Sequence, residues 1–160
     1  MAADSGQFSE ASYGDERIHR GTGGETHQLA GDGRPSLTTQ VTVELVAPAV
    51  GGIDASDGTR MPADQQVAGG PSVLYDAVVL LPSAAGGSAL VRNLAARDFV
   101  TDAYAHCKFI GYVSQAAPLL DATGVSQLRD DGFIELDSPG SAGGFISACR
   151  RLRFWERQSA

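Results

Sequence analysis

The sequence predicts an α/β fold, a parallel β-sheet sandwiched by helices, and three observations carry that prediction. Two short apolar runs, Asp76-Ala-Val-Val-Leu-Leu81 and Lys108-Phe-Ile-Gly-Tyr-Val113, are continuous rather than alternating, as strands covered on both faces are. Segments between and after them carry apolar residues at helical spacing. The two kinds of segment alternate along the chain, which is the order of a parallel sheet with crossover helices.

Residues 1–40 stand apart. They hold seven glycines and only five residues from Leu, Ile, Val, Phe and Met. Such a stretch buries too little apolar surface to offset its ordering entropy, so a disordered tail is expected there. From Val41 the pattern changes. Val41-Thr-Val-Glu-Leu-Val46 is β-branched and half alternating, which suits a strand. Ser56-Asp57-Gly58 is a turn signal inside a small hairpin, with Gly58 free to take positive φ.

The strand at 76–81 ends at Pro82-Ser83. Leu90, Leu94, Val100, Ala103 and Tyr104 then predict helix over 87–105, in two short pieces if Asp98 caps the second. After the strand at 108–113, Ser114 is placed to cap a helix bearing Ala116, Leu119 and Leu120, and Gly124 to end it. Phe133-Ile-Glu-Leu136 reads as a short strand. A last helix opens near Ser141 and runs through Phe145, Ile146, Cys149, Leu152 and Trp155. One α/β domain over 41–157 is the result.

Charge and composition exclude several functions. Twelve Lys and Arg face nineteen Asp and Glu, for a formal net charge of −7. Nucleic acid and anionic membrane surfaces call for clustered cations, and are not expected as partners. The one dense basic cluster, Arg150, Arg151, Arg153 and Arg157, is expected in the last turns of the final helix, where it would oppose the helix dipole. Two cysteines, Cys107 and Cys149, make no disulfide framework and suit a reducing compartment. No apolar stretch approaches the roughly 20 residues that span a bilayer, and no secretory signal is visible. A cytoplasmic location is expected.

The chemistry-bearing residues are sparse. His106 sits where a helix should end and reads as a carbonyl cap. His19 and His27 fall in the tail, and three His with two Cys give no zinc spacing. The glycine pairs Gly51-Gly52, Gly69-Gly70, Gly86-Gly87 and Gly143-Gly144 lack both the G-x-G-x-x-G pattern and a Walker lysine, and read as turns and hinges. A reactive Cys107 would label fast as a thiolate; slow labelling is expected instead.

A set of short motifs then points to a family. Val46-Ala-Pro48, Gly51-Gly52, Asp57-Gly58, Pro62-Ala63-Asp64, Gly69 and Pro71-Ser-Val-Leu-Tyr-Asp-Ala-Val-Val79 resemble the C-terminal domain of large-subunit catalases. Asp98-Phe99-Val100, Asp102-Ala103, His106, Lys108 and the Arg153-Phe-Trp-Glu-Arg157 terminus continue the resemblance across residues 41 to 157. It implies a flavodoxin-like fold related to class I glutamine amidotransferases and protease I. It also implies a domain that decorates a tetrameric haem enzyme, shapes the route to its haem and adds stability.

Haem chemistry in such enzymes belongs to a separate core domain, so no cofactor is expected on this chain. Tyr13, Tyr75, Tyr104 and Tyr112 are not expected as haem ligands. In the related superfamily a Cys nucleophile sits at a strand-to-helix turn, followed by His. Ser114 falls at that nucleophile position and Gln115 at the His position, a degenerate pair with no base to activate it. The expected role is therefore a non-catalytic accessory one. The alternative is a protease I-like hydrolase or chaperone-like module using Ser114.

The resemblance also implies an apolar strand and a long helix ahead of Val41, which residues 1–40 do not offer. In the flavodoxin strand order 2-1-3-4-5 their absence leaves the strand at Asp76 with an exposed apolar edge. The sequence thus reads as a domain incomplete at its N-terminus: either a remnant, or one whose missing strand a partner supplies. A catalase core, or self-association through that edge, are the partners this allows.

Overall fold

The computed structural model describes residues 41–159 apart from 56, 137 and 139, together with the backbone pairing of Ala2–Ala3, Thr26–Leu29 and Pro35–Thr38. The expectation of a disordered tail over 1–40 otherwise falls outside the described residues.

The strand expected at 41–46 is displaced. Residues 41–45 have no regular structure, and only β1 (Val46–Ala47) pairs. A ladder needs a neighbour, and the contacts at Leu45 go elsewhere. Its N–H donates to the Asp64 carboxylate at 2.7 Å and its carbonyl accepts from the Asp64 N–H at 2.9 Å. The hairpin is as expected: β2 (Ile53–Ala55) runs antiparallel to β3 (Arg60–Met61), with Gly58 at φ 84° between them. The chain then returns so that β4 (Gln65–Gln66) lies parallel to β1.

The core sheet has three parallel strands. They are β5 (Ala77–Leu80), β6 (Phe109–Tyr112) and β7 (Phe133–Glu135), ordered β7-β6-β5. Ala77 pairs with Phe109 and Phe133 with Ile110, so β6 is flanked on both sides and every one of its residues is buried.

Alternation along the strands sorts the apolar residues into two layers. Val78, Leu80, Ile110 and Tyr112 face α1 (Ala84–Leu90), α2 (Leu94–Ala105) and α3 (Ala117–Thr123). Ala77, Phe109 and Ile134 face α4 (Ser141–Cys149) and the chain that follows it. The sequence-predicted α/β sandwich is what forms.

The helix boundaries show where local rules held. Helix does come in two pieces, but Asn93 caps the second, accepting from the Ala96 N–H at 3.2 Å; Asp98 lies inside the helix. Gly124 ends α3 in the left-handed conformation, at φ 77°. Ser114 does not cap α3. A 3₁₀ turn, Ser114–Ala116, comes first, and the helix start at Ala116 has no side-chain cap.

The last helix stops at Cys149 rather than running to Trp155. Leu152 takes φ +64°, which turns the chain back so that Phe154 enters the core and its N–H donates to the Cys107 carbonyl at 2.6 Å. Phe154 then meets Phe109 edge-on, with centroids 6.0 Å apart. Tertiary burial of Phe154 overrides the helical spacing, and the four arginines therefore lie beyond the helix instead of in its last turns.

Two glycines allow close approach. A Cβ on Gly111 would sit 3.0 Å from a Leu136 methyl and 3.1 Å from the Phe145 ring, so α4 rests on the bare backbone of β6. A Cβ on Gly87 would sit 2.2 Å from the Gln115 carbonyl oxygen, a contact that backbone cannot relieve by rotation. Gly87→Ala is expected to force α1 off the turn after β6. The cost should be about 1–3 kcal/mol, seen in thermal denaturation as a fall of roughly 4–8 °C per kcal/mol. A melting temperature equal to wild type would show that α1 is not held there.

Candidate functional site

In open α/β sheets ligands bind beyond the carboxyl ends of the strands, so the turn after β6 is the place to look for chemistry. Ser114 and Gln115 are both exposed there. The Ser114 hydroxyl lies 3.2 Å from the Gln115 side-chain oxygen. That amide oxygen can accept a hydrogen bond but cannot carry a proton away, so it does not turn the hydroxyl into a nucleophile.

The backbone is equally unsuited. A nucleophile elbow holds its residue in a strained turn. Among the described residues the non-glycine positions with positive φ are Cys107 and Leu152, not Ser114. Val113 is extended, at φ −100° and ψ 159°, and runs directly into the 3₁₀ turn.

His106 occupies the C-cap of α2. It is therefore at the opposite end of β6, roughly 20 Å from Ser114 at strand rise. Its backbone N–H closes the helix on the Asp102 carbonyl at 2.9 Å. No group of three or more His, Cys, Asp or Glu among the described residues could hold a metal ion.

Cys107 is buried, at 2% exposure. Cys149 is half-buried, and its burial, with the Asp76 charge nearby, pushes the thiol up to about 12. A thiol so rarely ionised is a poor nucleophile near neutral pH.

The described tyrosines are engaged within the fold. The Tyr75 hydroxyl meets Glu44 at 3.1 Å, Tyr104 donates to the Leu128 carbonyl at 3.4 Å, and Tyr112 accepts from Arg129 at 3.3 Å. Two concavities stand out on the described surface, of about 130 and 170 Å³. Both are smaller than the roughly 300–1,000 Å³ of small-molecule and cofactor sites. Neither the phenols nor these concavities fit a haem.

The chemistry that sequence reasoning missed lies at the other end of β6. Lys108 is 1% exposed, and its ammonium donates to the carbonyls of Ser72 and Tyr75. The Arg157 side chain is also largely buried, at 4% exposure. Its guanidinium makes a bidentate pair with Asp130, at 2.6 and 2.8 Å, and donates to the Tyr104 and Lys108 carbonyls at 3.1 and 3.0 Å. It also lies over the Tyr104 ring, 4.4 Å from the centroid. Burial alone would raise the Asp130 carboxyl, but the bonds from Arg157 and the Gly132 N–H hold it below the usual carboxylate range. Sequence reasoning placed Lys108 among family motifs without a role and expected Arg157 with the other arginines at the end of the final helix; an apolar run opening on Lys108 was the available signal.

This is a flavodoxin-like α/β domain with an exposed serine–glutamine pair at the turn after β6 and a cluster of buried polar contacts at the other end of that strand. The comparisons give it a family. Residues 28–159 match the C-terminal domain found in long catalases, and the chain belongs to that family. The match begins ahead of Val41, earlier than the motifs alone indicate.

Catalase C of Rhizobium meliloti (strain 1021) is 55% identical over 115 residues, covering 72% of this chain and 16% of that protein. Catalase HPII of Pseudomonas putida is 28% identical over 116 residues, again 72% of this chain and 16% of that protein. Catalase-2 of Bacillus subtilis (strain 168) is 31% identical over 122 residues, 74% of this chain and 17% of the relative. The chain thus spans about a sixth of the length of these curated relatives.

Among solved structures, a two-domain protein from Anabaena variabilis with DJ-1/ThiJ/PfpI-like and ferritin-like domains is similar at TM-score 0.55 and 16% identity. The likeness covers 74% of this chain and 40% of that one. It shows the shared fold.

Lys108 gives a pH prediction with an unusual sign. Burial, helped by Arg153 and opposed by Asp76 and Asp102, brings its ammonium down to about 8, against roughly 10.4 for a free lysine. Between those values the unfolded chain binds more protons than the folded one, so this group makes stability rise with pH across that window. Cys149 works the other way, because its thiol ionises more readily unfolded. In a Cys149→Ser background, urea midpoints should therefore rise from pH 8 to 10, and Lys108→Met should remove that slope whatever its effect on the absolute level. Equal slopes with and without Lys108 would show that the ammonium is not held as described.

Proposed function

We propose that the chain acts as a non-catalytic accessory domain of a long catalase, stabilising or shaping a peroxide-degrading enzyme whose haem is held by a different domain. The observation that carries this reading is the turn after β6, where the Ser114 hydroxyl meets the Gln115 side chain, without a base or elbow strain among the described residues. Family membership supplies the association with peroxide chemistry. On this reading no haem binds here, and the domain works where its relatives do, with the cytoplasm as the expected compartment. Among the described residues no helix is long and apolar enough to cross a membrane.

The partner on this reading is a catalase core. β5 is an edge strand of the described sheet, without Lys or Pro among its four residues, and Val79 on its α4 face is 41% exposed. An unblocked apolar edge is a template for another strand. In the flavodoxin order another strand lies against that edge, and on this reading it is the side turned to the rest of the enzyme.

The test is to give the purified 160-residue chain stoichiometric haemin and measure peroxide consumption and the Soret band. The expected result is turnover no faster than free haemin, with an unshifted band. A shifted Soret band with accelerated turnover would contradict the accessory role.

A further inference from the structure

Three sulfur atoms lie on the described residues, and the fold treats them differently. Cys107, in the turn between α2 and β6, is closed in at 2% exposure. Cys149 ends α4, half-buried against the cluster of Phe109, Leu136, Phe145 and Phe154. Met61, on β3, is 38% exposed.

Peroxide distinguishes such groups by ionisation and by access. A thiol attacks as its thiolate. Cys149, pushed up to about 12 by burial and by Asp76, is almost never ionised at neutral pH. A thioether has no proton to lose, so access alone governs its reaction. Burial therefore shields both thiols and leaves the thioether to react.

The hairpin register gives that reaction a consequence. Met61 stands directly opposite Ile53, and opposite residues of an antiparallel pair share one face. Ile53 is 2% exposed. Met61 is thus the exposed half of an apolar pair whose other half is interior, and a sulfoxide would make that half polar. Other ties of the hairpin involve different atoms. The Arg60 guanidinium donates to the Gly51 carbonyl and to Asp54, each at 2.7 Å, and the Ala55 N–H donates to the Thr59 carbonyl at 2.8 Å. Oxidation would loosen the open end of the hairpin without taking it apart.

We propose that Met61 is a modification site for hydrogen peroxide, oxidised ahead of both thiols, and that its sulfoxide loosens β2 from β3 while the core sheet stays closed. The thioether sulfur attacks one peroxide oxygen, so that an S–O bond forms as the O–O bond breaks. Sulfur loses two electrons and peroxide gains them. The transferred oxygen gives its proton to the departing hydroxide, which leaves as water. That this domain meets peroxide rests on the accessory reading above; the order of reactivity rests on burial and register.

The experiment exposes the full 160-residue chain to hydrogen peroxide at neutral pH and follows oxygen uptake by peptide mass mapping, which separates Met61 from Met1. The expected result is one added oxygen at Met61, at least about tenfold faster than any oxidation of Cys107 or Cys149. In urea, where both thiols reach water, the order should reverse. Amide exchange at 53–55 and 60–61 should quicken once Met61 is oxidised, with 109–112 unchanged. Met61→Leu should keep wild-type exchange before and after peroxide. Met61→Gln, polar and of similar length, should show the quickened exchange with no peroxide added.

Oxidation of either cysteine ahead of Met61 in the folded chain would overturn the proposal. So would a Met61 sulfoxide that leaves exchange in the hairpin unchanged, or one that opens 109–112 as well. A chain that bound haem would still be expected to oxidise first at Met61, so failure here and failure of the accessory role are read separately.

Discussion

Two buried cations at the start of β6 hold this fold together. Lys108 reaches one way, into the carbonyls of Ser72 and Tyr75, and so fixes the segment that leads into β5. Arg157 comes from the other direction, at the end of the chain. It grips Asp130 ahead of β7 and the carbonyls of Tyr104 and Lys108 on either side of the α2–β6 turn. The entry into β6 is thereby tied to both neighbouring strands and to the last segment. Without Arg157, the Lys108 and Tyr104 carbonyls and the partly buried Asp130 carboxylate would each lose a donor, Tyr104 keeping the Cys107 N–H and Asp130 the Gly132 N–H; a group left unpaired in the interior costs about 1–3 kcal/mol. Phe154, three residues earlier, would lose the anchor that keeps it against Phe109.

This arrangement bears on function because it locates the polar investment of the domain. The best-satisfied charged groups are at the amino end of the sheet and serve packing. The carboxyl end, where chemistry would be expected, presents exposed Ser114 and Gln115 and a solvent-facing Arg129 over Tyr112.

Much of the architecture was legible in the sequence. The apolar runs at 76–81 and 108–113 became β5 and β6 nearly residue for residue, because a strand covered on both faces leaves no room for a polar alternation. Asp57-Gly58 and Gly124 announced their turns, because only a positive φ closes them. What the sequence obscured were outcomes of tertiary competition. Val41–Leu45 had strand propensity but no strand partner among the described residues, and Asp64 took the Leu45 N–H instead. The final helix had the right spacing to continue, yet burying Phe154 bent it at Leu152. Ser114 looked like a cap, but a 3₁₀ turn intervened. The turn after β6 that carries Ser114 and Gln115 was readable from the end of the apolar run; the structural role of Arg157 was not, since a terminal arginine usually stays in water.

Amide hydrogen exchange on wild type and Arg157→Ala, followed peptide by peptide, tests the central claim most directly. If Arg157 ties the strands together, wild type should protect 109–112 most strongly and 77–80 less, since β5 has one open side. The variant should lose protection at 109–112 and 133–135 together, as Phe154 leaves the core. An Arg157→Ala variant with wild-type protection in β6 and β7 would contradict the account, and would place the hold on the sheet in apolar packing alone.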